Sequence, residues 1–267
     1  MSVQITGKTR LLGLIADPVA QARSPDIAND LLQRGSQFGA FVLVPMHVAT
    51  DGLDEFVGAL KQLKNFAGGI VSMPHKTRMA ELADELTPEA KLIGAVNVIR
   101  RDRTGRLVGT VLDGEGFVGG LISNGHRVTD ANCLLVGAGG AASAIAFALA
   151  KHGCKSLTLI NRTPSKAEVL ATRVRTAFPA LAVACEAPVN ATFDIAVNGT
   201  SLGMREGDDL PIPNETIRRC SLVAECVIAP EMTRLLQTAK DLGCRVHAGV
   251  HMLTSQMKMM LQFMGAL

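Results

Sequence analysis

The sequence predicts an α/β protein with two units, and three features of the chain support this fold class. Short aliphatic and β-branched runs, of the kind that parallel sheets bury, alternate with helical stretches throughout. Two strand-like runs near residue 100 are joined by a tight polar turn, which is typical of a hairpin. A glycine-rich turn follows another strand-like run at residue 137 and opens a helix.

The predicted strands are seven short apolar runs with helical stretches between most of them. In chain order the runs are "LLGLI", "AFVLV", "GGIVS", "CLLVG", "SLTLIN", "FDIAVN" and "SLVAECV". The helical stretches include 52–64, 74–86 and 164–177. Strands that alternate with helices in this way usually pair in parallel, which gives the α/β class.

The segment "AVNVIRRDRTGRLVGT" breaks this alternation, because its two strand-like pieces are joined by a turn at 102–105. With the turn at Asp113-Gly114, the hairpin suggests a domain boundary near residue 113. A second α/β unit then begins with a helix from Glu115. The final helix starts at about Gly249 and carries five methionines, and methionine at helical spacing predicts core filling.

Composition excludes several functional classes. The 267 residues are 48% hydrophobic, enough for a large core in one or two domains. A net charge of +3, with no Trp or Tyr to stack on bases, argues against a nucleic-acid partner. The apolar runs end well short of the roughly 18 residues that a spanning helix needs, and "MSVQITGKTR" has no leader pattern. We therefore expect a cytoplasmic protein with no membrane contact.

The cysteines and histidines show no metal-binding or disulfide pattern. The six cysteines have no C-x-x-C spacing and most lie in apolar surroundings, which predicts free buried thiols in a reducing compartment. The histidines lack ligand spacing, so we predict no metal.

The segment "CLLVGAGGAASAIAFALAKHG" predicts a dinucleotide site. Gly137-x-Gly139-x-x-Ala142 follows a strand and opens a helix, which is the context that this otherwise weak motif requires. Gly137 permits the sharp turn, Gly139 lets backbone N–H groups approach a pyrophosphate, and Ala142 allows close packing of helix and strand. The helix N-terminus adds partial positive charge.

The end of the next strand favours NADP over NAD. A NAD site usually has an acidic residue there for the ribose hydroxyls, whereas this chain has "INRTPSK". Arg162 suits a 2′-phosphate through its charge and its forked geometry, and Lys166 follows a few residues later. The alternative is that Arg162 only faces solvent.

A second candidate site lies in "GGIVSMPHK". The strand-like run is followed by Pro74 at the predicted first turn of a helix, so Lys76 falls at the carboxyl end of a strand, where open α/β proteins bind ligands. The alternative is an ordinary solvated lysine. His75 is a competing general base because histidine titrates near neutral pH, but adjacent helix-opening residues point in different directions.

The order and spacing of several motifs resemble the shikimate and quinate dehydrogenase family over nearly the whole chain. In order the motifs are "DPVAQARSP", "GGIVSMPHK", "IGAVNV", "GTVLDGEGF", "GAGGAA", "NRTPSKA", "VNGTSLGM" and "GVHMLTSQM". The resemblance implies a substrate-binding catalytic domain over 1–112, completed by 249–267, and a Rossmann NADP-binding domain over 113–248. It implies an active site in the cleft between the domains.

The resemblance also implies roles for individual residues. The catalytic lysine and aspartate fall on Lys76 and Asp113. Reduction of a ketone creates negative charge on oxygen, so a cation or proton donor lowers the barrier and a carboxylate orients that donor. The implied substrate-binding residues are Ser24, Ser72, Asn97 and Gln256. The implied cofactor-binding residues are Gly137, Gly139, Gly140, Ala141, Asn161, Arg162, Thr163, Lys166, Asn198, Thr200, Met204 and Gly249.

Three positions depart from the family's polar substrate-binding pattern, at Ala22, Ile70 and Leu112. Each lost hydrogen bond removes roughly 1–3 kcal/mol, so three uncompensated losses would weaken discrimination about a thousandfold or more. Either the substrate is less hydroxylated or differently oriented, or nearby polar groups compensate.

The predicted function is NADP-dependent interconversion of shikimate and 3-dehydroshikimate by hydride transfer, as in chorismate and aromatic amino acid biosynthesis. One alternative is a paralogue that acts on quinate or another cyclic hydroxy acid with weak shikimate activity. The other is a non-catalytic NADP-binding protein, although such a protein has no need of Lys76 and Asp113. We expect a monomer or homodimer.

Overall fold

The computed structural model describes residues 5–35, 37 and 39–267, which form two compact units. The first unit contains the chain up to Leu112 together with Gln256–Leu267, and the second contains Asp113–Ser255. Each unit is built around a six-stranded sheet with helices, so the predicted α/β class is confirmed. The functional role of each unit stays a prediction at this point.

The first unit has mixed strand directions. Its elements are β1 (Arg10–Ala16), α1 (Ser24–Arg34), β2 (Phe41–His47), a 3-10 turn (Thr50–Gly52), α2 (Leu53–Gln62), β3 (Phe66–Val71), α3 (Lys76–Leu82), β4 (Glu85–Leu86), α4 (Pro88–Ile93), β5 (Val98–Arg101) and β6 (Leu107–Thr110). The strand order is β2-β1-β3-β5-β6-β4. β1 pairs in parallel with β2 and β3, whereas β5 runs antiparallel to β3 and β6.

The predicted hairpin is confirmed as β5 and β6. Asp102 closes the turn, because its N–H donates to the carbonyl of Arg106 at 2.9 Å and its carboxylate accepts from the N–H of Thr104 at 2.8 Å. An aspartate that bonds its own backbone in this way is typical of tight turns.

The predicted helix over 74–86 is wrong at both ends. Helix α3 begins at Lys76, and Pro74 lies in the turn before it. The helix ends at Leu82 because Asp84 pairs with Leu107. The N–H of Asp84 donates to the carbonyl of Leu107 at 2.9 Å, and the N–H of Leu107 donates to the carboxylate of Asp84 at 2.8 Å. Pairing with a strand distant in the chain therefore overrides local helix propensity.

The second unit contains only parallel strands. Its elements are α5 (Asp113–Ser123), β7 (Asn132–Val136), α6 (Gly140–Lys151), β8 (Ser156–Ile160), α7 (Pro164–Ala177), β9 (Ala182–Ala184), β10 (Phe193–Asn198), α8 (Asn214–Ile217), β11 (Cys220–Glu225), α9 (Arg234–Asp241) and β12 (Arg245–His247). Helix α10 (Val250–Phe263) begins in this unit and continues into the first. The order β12-β11-β10-β7-β8-β9 is that of the doubly wound dinucleotide-binding fold.

The predicted turn at Asp113-Gly114 is also wrong, because helix α5 already begins at Asp113. Gly114 is required for helix packing rather than for a turn. A Cβ at this position would lie 2.2 Å from the carbonyl oxygen of Ala144 and 2.8 Å from the Cβ of Ala148, both on α6. The sequence shows only that a small residue is present, and it does not show which close contact requires it.

Burial confirms four of the five methionines predicted to fill the core at the final helix. Met252, Met257 and Met260 of α10 and Met264 just after it are buried, whereas Met259 is half-buried. The six cysteines form no disulfide; three of them, Cys133, Cys154 and Cys220, are buried as predicted, whereas Cys185, Cys226 and Cys244 are half-buried. None of the described helices combines the length and apolar character that crossing a membrane requires.

Replacement of Gly68 tests the packing of β3. A Cβ on Gly68 would lie 2.4 Å from the carbonyl oxygen of Ile99 and 2.9 Å from the Cγ of Met264. Because the backbone oxygen cannot move aside cheaply, Gly68→Ala should lower the free energy of unfolding by about 1–3 kcal/mol. Gly58→Ala on α2, where a Cβ meets nothing within 4 Å, should instead raise it by about 0.5–1 kcal/mol. Equal stabilities in urea denaturation would contradict this packing.

Candidate active site

The glycine turn between β7 and α6 is shaped by a close backbone approach. Gly137 has a φ of +121°, and a Cβ there would lie 2.8 Å from the carbonyl oxygen of Gly199 after β10. Gly139 precedes the first residue of α6, Gly140, and a Cβ on Gly139 would meet nothing within 4 Å. β7 and β10 are the neighbouring strands at which the strand order reverses, and doubly wound folds bind ligands at this point. The turn therefore has the open cradle that a pyrophosphate requires.

A recess of about 210 Å³, called here the basic recess, opens beside this turn. It contains Ala138 of the turn, Ser143 of α6, and two basic side chains of α7, Lys166 and Arg173. The remaining lining residues are Ser165, Val169 and Leu170. Two cations and two hydroxyls around one recess suit a phosphate group.

Arg173 is a residue that the sequence analysis missed. It lies seven residues after Lys166, two turns along the same helix, and this spacing was the available signal. Its guanidinium is 5.9 Å from the centre of the Phe147 ring, and burial lowers its pKa. Arg162 is exposed at the end of β8 and does not line the basic recess.

The other residues predicted at this edge of the sheet organise their own loops. Asn161 donates through Nδ2 to the carbonyl of Thr163 at 2.9 Å, so the segment before α7 folds back on itself. Met204 is half-buried, and its N–H donates to the carbonyl of Ser201 at 3.2 Å. Gly249 is required by a close approach, because a Cβ there would lie 2.2 Å from the carbonyl oxygen of Val227.

A buried hydrogen-bond network holds the loop after β10. Asn198 is fully buried, and its Oδ1 accepts from the N–H and the hydroxyl of Thr200 at 3.0 and 2.7 Å. Its Nδ2 donates to the carbonyl of Leu202 at 2.9 Å. Glu225 at the end of β11 accepts from the same Nδ2 at 3.4 Å and from the hydroxyl of Thr233 at 2.8 Å. Glu225 is not among the residues predicted from the sequence, although it ends a strand beside Asn198.

In the first unit, Lys76 is the first residue of α3 and is half-buried. Its backbone carbonyl accepts from the N–H of Val96 at 2.9 Å, which ties the start of the helix to the segment before β5. His75 is 1% exposed, and a ring nitrogen lies 2.8 Å from the carbonyl oxygen of Val48. This geometry makes His75 a donor to the backbone and suits a structural role.

Asn97 links two segments of the first unit that are distant in sequence. Its Nδ2 donates to Oε1 of Gln256 on α10 at 3.1 Å, and its Oδ1 accepts from the N–H of Leu112 at 2.8 Å. Both Asn97 and Gln256 are buried. The structure therefore brings two predicted substrate-binding residues together with the backbone of Leu112, one of the three positions that depart from the family's polar pattern.

The remaining predicted substrate-binding positions differ in exposure. Ser24 is buried at the start of α1, and Ser72 is half-buried directly after β3. Ile70 is 4% exposed within β3, with Leu14 of β1 and Val98 of β5 as its register partners. Its apolar side chain therefore fits the core of the sheet.

The carboxyl edge of the first sheet carries a further polar pair that the sequence analysis missed. Asp17 follows β1 and His47 ends β2, and the His47 ring nitrogen lies 2.9 Å from the Asp17 carboxylate. This hydrogen bond lowers the pKa of Asp17. The signal was available, because residues that follow neighbouring parallel strands meet at one edge.

In the second unit, Asp113 is 2% exposed and begins α5. The His247 ring meets the His126 ring edge to face, with ring centres 5.6 Å apart, and lies tilted against the His251 ring, with centres 4.7 Å apart. Burial lowers the pKa of His247 to about 4.

Across residues 5–35, 37 and 39–267, no group of three or more His, Cys, Asp or Glu side chains is arranged to hold a metal ion.

Two family models match the chain in succession. The model described as the shikimate dehydrogenase substrate binding domain matches residues 14–99. The model described as shikimate / quinate 5-dehydrogenase matches residues 122–202. The matched segments follow the same order as the sequence motifs.

Curated relatives and solved structures match nearly the whole chain. Shikimate dehydrogenase (NADP(+)) from Rubrobacter xylanophilus is 38% identical and covers 96% of this chain and 91% of its own length. Quinate/shikimate dehydrogenase from Escherichia coli is 35% identical and covers 95% and 91%. A crystal structure of a shikimate dehydrogenase in complex with NADP+ has a TM-score of 0.87 at 29% identity, over 99% of this chain and 92% of that one.

Proposed function

The chain belongs to the shikimate and quinate dehydrogenase family, and from this premise we propose that it is an NADP-dependent oxidoreductase that interconverts shikimate and 3-dehydroshikimate. One observation carries the cofactor part of the proposal. The Gly137 turn lies at the switch point of a doubly wound sheet, beside a recess with two basic side chains. Relatives that match over nearly the whole chain support the substrate class.

The residues at the carboxyl edge of the second sheet fit NADP. A Cβ on Gly137 would collide with the backbone of Gly199, whereas a Cβ on Gly139 would meet nothing within 4 Å, so backbone N–H groups at the N-terminus of α6 can approach a pyrophosphate. Basic side chains near the end of β8 suit the 2′-phosphate. The proposed cofactor-binding residues are Gly137, Gly139, Gly140, Ala141, Asn161, Arg162, Thr163, Lys166, Asn198, Thr200, Met204 and Gly249.

Lys76 and Asp113 are the proposed catalytic residues. NADP+, held by these residues, would supply the hydride acceptor for the carbon that bears the reacting hydroxyl. The hydroxyl proton must leave in the same direction of the reaction and return in the reverse, and the proposal assigns this transfer to Lys76. The proposed role of the Asp113 carboxylate is to favour the charge and orientation that this transfer needs. Ser24, Ser72, Asn97 and Gln256 are the proposed substrate-binding residues.

A paralogue function on quinate or another cyclic hydroxy acid is the second candidate. Two observations favour it: Leu112 and Ile70 are apolar where the family pattern is polar, and the Escherichia coli relative is named for both substrates. The cytoplasm as the site of action, a monomeric or homodimeric state and the absence of a nucleic-acid partner are proposals from the sequence alone.

Loss of either catalytic side chain should abolish most turnover. Lys76→Met and Asp113→Asn should each lower kcat with shikimate by at least about a hundredfold, because the proton then has no positioned carrier. NADP+ affinity, measured by titration calorimetry, should stay within about threefold of the unmodified protein. The exposed matched controls Lys64→Met and Asp51→Asn should keep full activity. Near-normal kcat in both catalytic variants would refute these roles.

Preference for NADP over NAD should depend on Arg162. Arg162→Ala should lower kcat/KM for NADP+ by about tenfold or more through loss of a charge-assisted contact to the 2′-phosphate, and leave kcat/KM for NAD+ within about twofold. Arg218→Ala, at an exposed site after α8, is the control and should change neither. If both cofactors lose equally, the assignment of Arg162 fails.

Restoring polar residues tests whether the apolar positions select the substrate. Ile70→Asn combined with Leu112→Thr should lower the shikimate KM by about tenfold, at roughly 1.4 kcal/mol per decade. Because Ile70 lies in the sheet core, the single variant Leu112→Thr covers the case in which the pair unfolds, and it should lower KM by about threefold.

Activity with shikimate, quinate and other cyclic hydroxy acids is followed through NADPH formation. An unchanged shikimate KM in a folded variant would mean that these positions do not contact the substrate. Tight NADP+ binding without turnover on any compound would instead indicate a non-catalytic binding protein.

A further inference from the structure

Glu225 is a buried acid at the edge of the second sheet to which the proposed reaction gives no role. It is 0% exposed at the end of β11, where its register partner is Asn198 at the end of β10. Burial of a carboxylate is costly unless donors approach it. Two do: the hydroxyl of Thr233 at 2.8 Å from Oε1, and Nδ2 of Asn198 at 3.4 Å from Oε2.

Asn198 connects Glu225 to the glycine turn. Its Oδ1 holds the N–H and the hydroxyl of Thr200, and its Nδ2 also reaches the carbonyl of Leu202. A Cβ on Gly137 would lie 2.8 Å from the carbonyl oxygen of Gly199 and 3.2 Å from Cγ2 of Thr200. The loop that Asn198 organises therefore packs directly against the dinucleotide turn.

The hydrogen bonds around Glu225 suit the ionised carboxylate, which only accepts. A proton on Oε2 would face the Nδ2 hydrogens of Asn198, and turning the amide to accept it would take Oδ1 away from Thr200. A proton on Oε1 would end the donation from the Thr233 hydroxyl and leave Oε2 as a neutral acceptor for Nδ2 of Asn198, and a hydrogen bond to a neutral oxygen is weaker than one to an ionised oxygen. Either position of the proton therefore weakens the bond between Glu225 and Asn198.

We propose that ionised Glu225 is a positioning residue for the dinucleotide site: it orients Asn198, which holds Thr200 against Gly137, so acidification weakens NADP binding. This inference rests on the proposed cofactor. It assigns Glu225 no contact with the ligand, since the effect passes through Asn198.

The ionisation of Glu225 falls in an accessible pH range. Burial raises its pKa to about 7, against the opposing hydrogen bonds from Thr233 and Asn198. Because the ionised form orients the loop, NADP affinity should be highest above pH 7 and should fall as the pH drops below it. Folding stability has the opposite sign: a carboxyl with a raised pKa favours the folded state at low pH and loses that contribution as the pH rises to about 7.

The other charged and titratable groups around Glu225 do not account for this behaviour. On the chain segments next to the network they are Cys226 after Glu225, His247 on β12, which pairs with Ala224, Arg234 after Thr233, and Asp208, which bonds the N–H of Gly203 on the loop after β10. The causes of the Glu225 shift are burial and its two hydrogen bonds. His247, with a pKa of about 4, stays neutral between pH 6 and 8.

The test compares NADP+ dissociation constants of the unmodified protein and Glu225→Gln at pH 6, 7 and 8. The ratio of the two constants cancels the titration of the 2′-phosphate itself, whose second pKa is about 6. We expect Glu225→Gln to bind NADP+ about tenfold more weakly than the unmodified protein at pH 8 and equally well at pH 6. The substitution should change KM for NADP+ more than kcat. The exposed control Glu215→Gln on α8 should give a ratio of one throughout. A Glu225→Gln ratio that does not change with pH would overturn the proposal.

A second pair of variants keeps the test valid if Glu225→Gln does not fold. Thr233→Val removes one donor to the carboxylate, so the midpoint of the pH dependence of NADP+ affinity should rise by about half a pH unit or more. Thr233→Ser keeps the hydroxyl and should restore the original midpoint. An identical midpoint in both variants would contradict the proposal. If the unmodified protein binds no NADP+ at any pH, the proposed function fails and this inference fails with it. If the protein binds NADP+ but the ratio of the two dissociation constants is the same at every pH, only this inference fails.

Discussion

The close approach of two backbone segments at Gly137 and Gly199 is the constraint on which the ligand-binding edge of the second unit depends. The Gly199 carbonyl occupies the space in which a Cβ on residue 137 would lie, and Ala142 of α6 occupies the corresponding space beside Gly199. Only chains with minimal side chains at these positions can bring the turn after β7 and the loop after β10 together. Because neither Gly137 nor Gly199 carries a side chain, neither residue covers the switch point of the sheet, and a ligand can approach the backbone there.

Buried polar groups stabilise this arrangement where apolar packing cannot. Asn198 and Glu225 are both fully buried; they bond each other across neighbouring strands, and each also has a partner on a loop. A hydrogen bond in a region without water is directional and costly to leave unmade, so these groups specify loop conformation more sharply than methyl groups would. The same principle applies in the first unit, where Asn97 joins Gln256 to the backbone at Leu112. In the first unit an asparagine directly before β5 bonds residues distant in sequence, whereas in the second unit an asparagine at the end of β10 orders the loop that follows it.

Two residues that are apolar where the family pattern is polar, Ile70 and Leu112, have structural contacts of different kinds. Ile70 is a core residue of β3, with apolar register partners on both sides. Leu112 is tied through its backbone N–H, so this contact to Asn97 persists whatever side chain the position carries. His75, which its titration range made a plausible base, is buried against the carbonyl of Val48. Burial therefore separates residues that share the same short motif into core, structural and candidate catalytic groups.

The sequence by itself determined the α/β class, the hairpin, the helix over 164–177 and the glycine turn, because each depends on local periodicity or on backbone conformations that few residues adopt. The tertiary structure decided where α3 ends, since Asp84 pairs with a strand more than twenty residues away, and why Gly114 is a glycine, since its neighbour lies on α6. It alone brought Arg173 of α7 to the recess beside Ala138 of the glycine turn, and Glu225 beside Asn198. Contacts between segments distant in the chain leave no periodic pattern, so only the folded arrangement of strands and helices specifies them.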